Sequence, residues 1–394
     1  MKKIFDNFKH TDNKIEFKAI EIEDENIIKE DDLFFEFDRK ININNNSLAV
    51  ALSTLCGKNY DKIHIDLELN EKIVKDIEKF TGAEVSVREL NDSPYITKKK
   101  NKIIINFSGG MDSLAAYLIL PKNSTELVSV YFTGFEREEN LFKKFKPYTV
   151  KTNFRELKHD RNAWQFMGVG SILFNELINA RYQIFGTIME AGIWYSFEEY
   201  ATRTKFCSEP FSYVHIQDLK IIQGITEVGT ALIICNLAPH LINDSLKSLS
   251  NPGTTKRYRK ELIVKILLKK FNIDNVFVEY TDAPNEKRAH NWGDKFFNDF
   301  LTLYWIKNAE MEDVTKITKN IPQEVFDFVK VHKLEFYEKF NTNYLNNIPQ
   351  IFRKEILNNL SEANMLTYNE TDFRELNEVM RLLSNYHAGI KSRL

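Results

Sequence analysis

The residues best suited to chemistry form one short segment, SGGMDS, at Ser108–Ser113. Its two glycines permit backbone dihedrals and close approaches that a Cβ would forbid. Its serines add two hydroxyls, and its aspartate adds a carboxylate. Placed before a helix, such a loop binds anions through unpaired backbone amides and the positive end of the helix dipole. We therefore predict a phosphate-binding loop made of Ser108, Gly109, Gly110, Met111, Asp112 and Ser113.

The flanking residues predict the elements that position this loop. Ile103–Phe107 is a continuous, β-branched apolar run, typical of a strand buried on both faces. Leu114–Leu120 is rich in Ala and Leu and predicts a helix. The alternative is a tight turn in which Asp112 or Ser108 only caps that helix. No Lys-Ser or Lys-Thr follows the glycines, so the segment is not a Walker A loop.

The residues after the loop alternate between strand and helix patterns. Strands are predicted at Leu127–Phe135, Tyr148–Phe154 and Gln183–Ile188, with a helix at Asn162–Ala180. This alternation predicts a parallel sheet covered by helices, with ligands bound at the carboxyl ends of its strands. The strand-end residues predicted to join the loop in a nucleotide site are Tyr131, Phe132, Thr133 and Gly134, and Gly186 with Thr187.

Three regions are predicted along the 394 residues, and together they indicate an α/β protein. Residues 1–98 read as a small N-terminal α+β domain, residues 99–290 as a parallel-sheet nucleotide-binding domain, and residues 291–394 as a helical C-terminal region. In the first region we predict strands at Phe17–Glu23, Leu33–Ile43, Lys62–Leu67 and Ala83–Val87, and helices at Ser47–Cys56 and Asn70–Phe80. In the third we predict aromatic-rich helices at Phe296–Ile306 and Glu324–Phe340, which form core or contact a protein partner or a second copy.

Composition excludes several classes of protein. The formal charge of −2 does not indicate a globally basic nucleic-acid binder. The three cysteines lie far apart without a CxxC pair, which supports neither a clustered zinc site nor a disulfide framework and fits the reducing cytoplasm. No signal peptide is recognised, and the longest apolar run, Thr230–Leu237, is too short to span a membrane.

SGGMDS after a strand resembles the signature loop of the PP-loop ATP pyrophosphatases, in the adenine nucleotide alpha hydrolase-like superfamily. Over about residues 101–298 the chain most resembles 7-cyano-7-deazaguanine synthase and its relatives. Further similarities are Arg161-Asn162 before a helix and the strand IFGTIMEAG, which ends in glycine. TTKRYRKELIVKILLKKF resembles a later helix start, with Lys256 and Lys260 both possible counterparts of the family's lysine.

The resemblance implies ATP and Mg²⁺ as cofactors and cleavage of ATP between its α- and β-phosphates. Loop amides and hydroxyls would then hold the departing pyrophosphate. Asp112, Arg161 and Lys256 would be the catalytic residues, and Asp112 would also position the metal. For Arg161 the alternative is a surface ion pair with Asp160 or Glu156. Glu190 either contacts ribose or the acceptor, or is a solvated helix residue.

One departure from the family concerns zinc. The zinc-binding members end in a cysteine cluster, whereas AHNWGDKFFNDF stands at about that place without a cysteine. Because tetrahedral zinc needs four good ligands, His290 alone cannot hold it, and we predict no zinc. We expect Trp292, Phe296 and Phe297 to pack there instead. The extra N-terminal region also departs from the stand-alone enzyme, and relatives with such additions occur in anti-phage defence.

Three functions follow from these observations. The first is an AMP-forming ligase that adenylates a carboxylate on a small molecule, such as a deazapurine, or on a protein terminus. The second is a tRNA-modifying enzyme of the same superfamily, in which Cys207 would be the candidate reactive thiol. It is less favoured because Cys56 and Cys235 look like buried apolar residues and no RNA-binding module is recognised. The third is a nucleotide-binding subunit without catalysis.

Overall fold

The computed structural model describes residues 1–92, 100–133, 138–191, 209–274, 276–282, 284 and 289–391. The chain divides into two compact units. The first comprises Met1–Ser108, Lys122–Phe185 and Lys205–Leu219, and the second comprises Gly109–Pro121, Gly186–Thr204 and Lys220–Leu394. These units cut across the predicted regions 1–98, 99–290 and 291–394, because the N-terminal residues share a sheet with later strands while the loop and its helix join the C-terminal residues.

A ten-stranded, mostly parallel sheet dominates the first unit and confirms the predicted α/β class. The spatial order of its strands is β10-β9-β6-β7-β8-β3-β2-β1-β4-β5. The strands are β1 (Lys2–His10), β2 (Lys14–Glu23), β3 (Asn26–Phe37), β4 (Lys62–Asn70), β5 (Glu84–Asn91), β6 (Lys100–Asn106), β7 (Thr125–Phe132), β8 (Tyr148–Thr152), β9 (Ala180–Ile184) and β10 (Gln217–Asp218).

The five strands β6–β10 are all parallel, in the order 3-2-1-4-5 counted from β6. This is the arrangement of doubly wound sheets, whose strand order reverses beside the first strand. The reversal here lies between β6 and β9. Because ligands of such sheets bind outside the carboxyl ends of the strands at the reversal, the residues that follow β6 and β9 occupy the expected position.

The N-terminal strands extend this sheet instead of forming a separate one. β3 pairs antiparallel with β8 through Glu36↔Lys151 and Phe37↔Val150, and β1 and β2 continue outward from β3. β1 was not among the predicted strands because its pattern is inverted: Lys3 is fully buried while the neighbouring Ile4 is only half-buried. Pairing between strands more than a hundred residues apart leaves no local pattern in the sequence.

The α-helices, in chain order, are α1 (Asn45–Ser53), α2 (Glu71–Thr81), α3 (Met111–Ile119), α4 (Glu139–Phe145), α5 (Val169–Ile178), α6 (Glu227–Leu237), α7 (Ile242–Leu249), α8 (Thr255–Lys270), α9 (Phe296–Asn308), α10 (Met311–Thr315), α11 (Gln323–Val331), α12 (Gln350–Glu362), α13 (Glu370–Ser384) and α14 (Ala388–Lys391). The 3₁₀ helices are Lys122–Ser124, Trp164–Gly168, Phe211–Val214, Ile221–Gly224, Pro239–Leu241, Glu335–Glu338 and Thr342–Asn347. A small second sheet pairs β11 (His290–Asn291) with β12 (Thr318–Lys319). No helix among the described residues has the length and apolar character needed to cross a membrane.

The second unit packs α3 against α6, α7 and α12, and its aromatic core comes from the C-terminal residues. Tyr304, Trp305 and Tyr337 are fully buried there. The helix predicted over Glu324–Phe340 is shorter than expected. It ends at Val331, because Leu334 takes a left-handed conformation (φ 58°) whose amide is bound by the Glu375 carboxylate.

Candidate functional site

The loop after β6 leads into the N-terminus of α3, as predicted, and α3 carries no side-chain cap. The cap residue is Gly110, in extended conformation, so the alternative in which Asp112 or Ser108 caps the helix is wrong. Gly109 takes φ +70°, which strongly favours glycine, whereas Gly110 has φ −69°, which any residue can adopt. The hydroxyl of Ser113 turns back to donate to the Gly110 carbonyl at 3.0 Å. The first-turn amides of such a helix end suit an anion.

The backbone after β9 lies directly against the first turn of α3. A Cβ added at Gly186 would come within 2.9 Å of the Ser113 backbone nitrogen and 3.0 Å of the Asp112 carbonyl carbon. Because both are backbone atoms, no side chain can move aside to make room. Gly186 is therefore required for packing against α3, and Thr187 follows it half-buried. The loop is held from the other direction by α7, where the Ser245 hydroxyl donates to the Gly109 carbonyl at 3.2 Å.

Asp112 has one carboxylate oxygen bound and one left over. Its Oδ1 accepts hydrogen bonds from Lys260 Nζ at 2.9 Å and from Thr230 Oγ1 at 2.8 Å. Its Oδ2 accepts none from the described residues, and a quarter of the side chain is exposed. The carboxylate is thus fixed through one oxygen and presents the other.

Behind Asp112 lies a buried charged network, which we define as Asp112, Lys260, Glu227 and Arg259. Lys260 Nζ lies 3.5 Å from Glu227 Oε1, and the Arg259 guanidinium binds both Glu227 oxygens at 3.1 Å. Burial by itself lowers the pKa of Lys260, but the charges of Asp112 and Glu227 reverse this and leave the pKa above the usual lysine value. With two cations and two anions, the network is neutral.

The structure separates the two lysines that the sequence left as alternatives. Lys260 is fully buried and paired with Asp112, whereas Lys256, one turn earlier on α8, is exposed and has no ion-pair partner among the described residues. Desolvation first, and then the charge of Lys260, lower the pKa of Lys256, while Asp112 raises it. Of these two lysines, Lys256 is therefore the one that a ligand could reach.

Glu190 is fully buried, so the prediction of a solvated helix residue is wrong. Its Oε1 accepts a hydrogen bond from the Glu227 amide at 2.9 Å, at the start of α6, and its Oε2 has no partner among the described residues. Burial, and then the charge of Glu227, raise the pKa of Glu190 to about 8. At neutral pH this carboxyl is mostly a neutral acid.

The strand-end residues of the first unit differ in exposure and in the contacts of their side chains. Ser108 is exposed just after β6. Phe132 is buried, with the Arg155 guanidinium 3.9 Å from its ring centre and the ring of Phe166 5.4 Å away, centre to centre. Tyr131 is half-buried, and Thr133 donates to the Glu156 carboxylate at 3.0 Å.

Arg161 belongs to the first unit, whereas Asp112 and Lys256 belong to the second. It is exposed in a turn, and the carboxylates proposed as its partners are bound elsewhere: Asp160 by Arg155 and Glu156 by Thr133. The helix predicted from Asn162 begins later, as a 3₁₀ turn at Trp164–Gly168 followed by α5, because the Asn162 side chain donates to the Leu55 carbonyl instead.

The residues present fit Mg²⁺ better than a metal held by protein alone. No group of three or more His, Cys, Asp and Glu side chains that could hold a metal occurs in the described part of the chain. Mg²⁺ commonly takes one or two carboxylates and completes its shell with water and substrate phosphates, so the free oxygen of Asp112 suits it. In the segment AHNWGDKFFNDF, Trp292 and Phe296 are buried, and Phe296 packs on Phe297.

Sequence reasoning missed Thr230, Glu227 and Arg259. Lys256, Arg257, Arg259 and Lys260 place four cations near the N-terminus of α8, which could have indicated an anionic partner. Nothing in the sequence pairs Glu227 with them, because the contact joins two helices. Gly134 and Cys207 lie outside the described residues. Comparison with protein-family models, with curated proteins and with solved structures finds no match for this chain.

Proposed function

We propose that the chain binds MgATP at the N-terminus of α3 and transfers AMP to an acceptor carboxylate, with release of pyrophosphate. The observation that carries this proposal is the helix N-terminus within SGGMDS, which follows the first strand of a 3-2-1-4-5 sheet along the chain and has no side-chain cap. One oxygen of Asp112 is fixed there, and the other accepts no hydrogen bond from the described residues. The loop sequence and this strand order support membership of the PP-loop ATP pyrophosphatases. Within them, 7-cyano-7-deazaguanine synthase is the family whose sequence this chain resembles.

The chain's residues would contribute binding and electrostatic stabilisation. When bound, Mg²⁺ would neutralise phosphate charge, and Asp112 Oδ2 would hold it. The α3 amides and the Ser113 backbone would bind the departing pyrophosphate. Lys256, exposed beside a neutral network, would offset the negative charge that develops as the bond breaks. No nucleophile on the protein is needed, because the acceptor carboxylate attacks the α-phosphorus and pyrophosphate leaves. An amine then attacks the carbonyl carbon of the acyl adenylate, and AMP leaves as the amide forms.

The two described thiols do not suit a thiolation enzyme, whereas the candidate thiol Cys207 lies outside the described residues. Burial raises the pKa of Cys56 and that of Cys235 to about 12, so neither is a thiolate at neutral pH. A tRNA-modifying enzyme that uses one of these two cysteines is therefore disfavoured. A nucleotide-binding subunit without catalysis shares the same site and differs only in turnover.

Product analysis tests the reaction. ATP labelled at its α-phosphate is incubated with the full chain, Mg²⁺ and fractions of small carboxylic acids with an amine donor. We expect labelled AMP and free pyrophosphate in the active fraction. Asp112→Asn should lose this activity, and Asp327→Asn, at an exposed position on α11, should keep it. ADP with free phosphate would contradict the proposal, and MgATP binding without product in any fraction would favour the binding subunit.

A further inference from the structure

The carboxylate of Asp112 is held by two donors from two different helices. Thr230 Oγ1 comes from α6 and Lys260 Nζ from α8, and both end on the same oxygen, at 2.8 and 2.9 Å. Two directed hydrogen bonds on one oxygen fix both the rotamer and the rotation of a carboxylate. The second oxygen is then presented in one orientation.

Lys260 is itself held in place. Its side chain is 2% exposed, and Glu227, which lies 3.5 Å from its ammonium, is clamped by the Arg259 guanidinium through both oxygens. A lysine so enclosed does not reach a ligand in solvent. The charge of Lys260 therefore acts on Asp112, whereas the exposed Lys256 is available to bind phosphate.

We propose that Thr230 and Lys260 are positioning residues, which orient Asp112 so that its Oδ2 receives the magnesium of MgATP. This inference rests on the proposed function. It separates the roles of the two lysines: Lys260 determines how well the site uses Mg²⁺, and Lys256 determines how well it holds the nucleotide's negative charge.

The test is the Mg²⁺ dependence of ATP binding to the full chain, measured by calorimetry at several Mg²⁺ concentrations and without Mg²⁺. Thr230→Val is similar in shape and removes the hydroxyl, which contacts Asp112 Oδ1 at 2.8 Å and also the Glu227 carbonyl of its own helix at 3.0 Å. Because Asp112 loses one of its two donors, we expect the apparent Mg²⁺ requirement to rise about 3- to 10-fold. Thr230→Ser keeps the hydroxyl and should restore the wild-type requirement. Lys260→Met should raise the requirement further, but it leaves buried carboxylates unpaired, so Thr230→Val remains the deciding variant.

Two controls make the result specific. Asp112→Asn should abolish the effect of Thr230→Val, because the two residues act through the same oxygen. Lys256→Met should weaken ATP binding by a similar factor at every Mg²⁺ concentration. An unchanged Mg²⁺ requirement in Thr230→Val, or an equal change in Thr230→Ser, would overturn the inference alone. A wild-type chain that binds no ATP would overturn the proposed function with it.

Discussion

At the scale of single residues, the site contains charged side chains that would be expected at the surface from the sequence alone. Lys260, Glu227 and Glu190 are buried, although such residues are rarely buried without partners. The loop itself was predictable, because its six residues and their flanks are contiguous. The partners of Asp112 were not, since they lie 118 and 148 positions away. Only the structure shows that Oδ1 is occupied and Oδ2 is free.

Glu190 provides a prediction at this scale. Its pKa, raised from 4.5 to about 8, means that the folded state holds a proton that the unfolded chain releases above pH 4.5. The folded state therefore loses stability as pH rises from about 4.5 to 8, and Glu190→Gln should remove this loss. Two neighbouring charges, Glu227 and Lys260, change the pKa of Glu190. The charge of Glu190 in turn raises the pKa of Tyr337 and of Tyr368.

The measurement is urea unfolding of the wild type and Glu190→Gln at pH 5, 7 and 9. We expect the two free energies of unfolding to diverge with rising pH, with the variant the more stable at pH 9. Curves that stay parallel across this range would mean that Glu190 is ionised in the folded state.

At the scale of elements, the contact of Gly186 with the first turn of α3 constrains the geometry of the loop. Gly186→Ala places a Cβ about 3 Å from backbone atoms of Asp112 and Ser113, so the N-terminus of α3 must shift. We expect a loss of stability of about 1–3 kcal/mol and weaker MgATP binding, by roughly tenfold. Thermal unfolding and calorimetric titration measure the two effects.

Gly170→Ala is the matched control for crowding. Its Cβ would meet the Val128 side chain at 2.8 Å, inside the first unit, and no loop residue is among its three nearest contacts. It should lower stability similarly and leave MgATP affinity unchanged. If Gly186→Ala were to cost stability but bind MgATP normally, the α3 contact would have no role in binding.

A second element-scale prediction concerns the strand that the sequence did not reveal. The fully buried Lys3 of β1 donates to Glu21 Oε1 at 2.8 Å and to His159 Nδ1 at 3.1 Å, and His159 Nε2 donates to Asp31 at 2.7 Å. Lys3→Met leaves Glu21 without its cation and should cost about 3–5 kcal/mol of unfolding free energy. Lys3→Met with Glu21→Gln should recover much of this. A single variant as stable as the wild type in urea would show that the ion pair does not stabilise the sheet.

At the scale of the whole molecule, the α/β class and the strands after the loop were predictable, because their apolar runs are local. The joining of the N-terminal strands to that sheet was not, since it depends on two residue pairs between β3 and β8. The aromatic C-terminal residues suggested a partner or a second copy. Many of them, including Phe300, Tyr304 and Trp305, are buried within the second unit, so their abundance has an internal explanation.

The central claim is that the loop after β6 holds the phosphates of MgATP, and calorimetric titration of MgATP tests it most directly. In the variant Gly109→Ala with Asp112→Asn, a side chain is forced into φ +70° and a charge is removed at the loop. The control variant, Gly82→Ala with Asp327→Asn, also puts a side chain at a positive φ and removes one charge, but outside the loop. Gly82 has φ +74°, and an added Cβ would have no atom within 4 Å. We expect the wild type and this control to bind MgATP equally, and the loop variant to lose at least about tenfold in affinity while circular dichroism shows it folded. A folded loop variant that binds MgATP as tightly as the wild type would contradict the account.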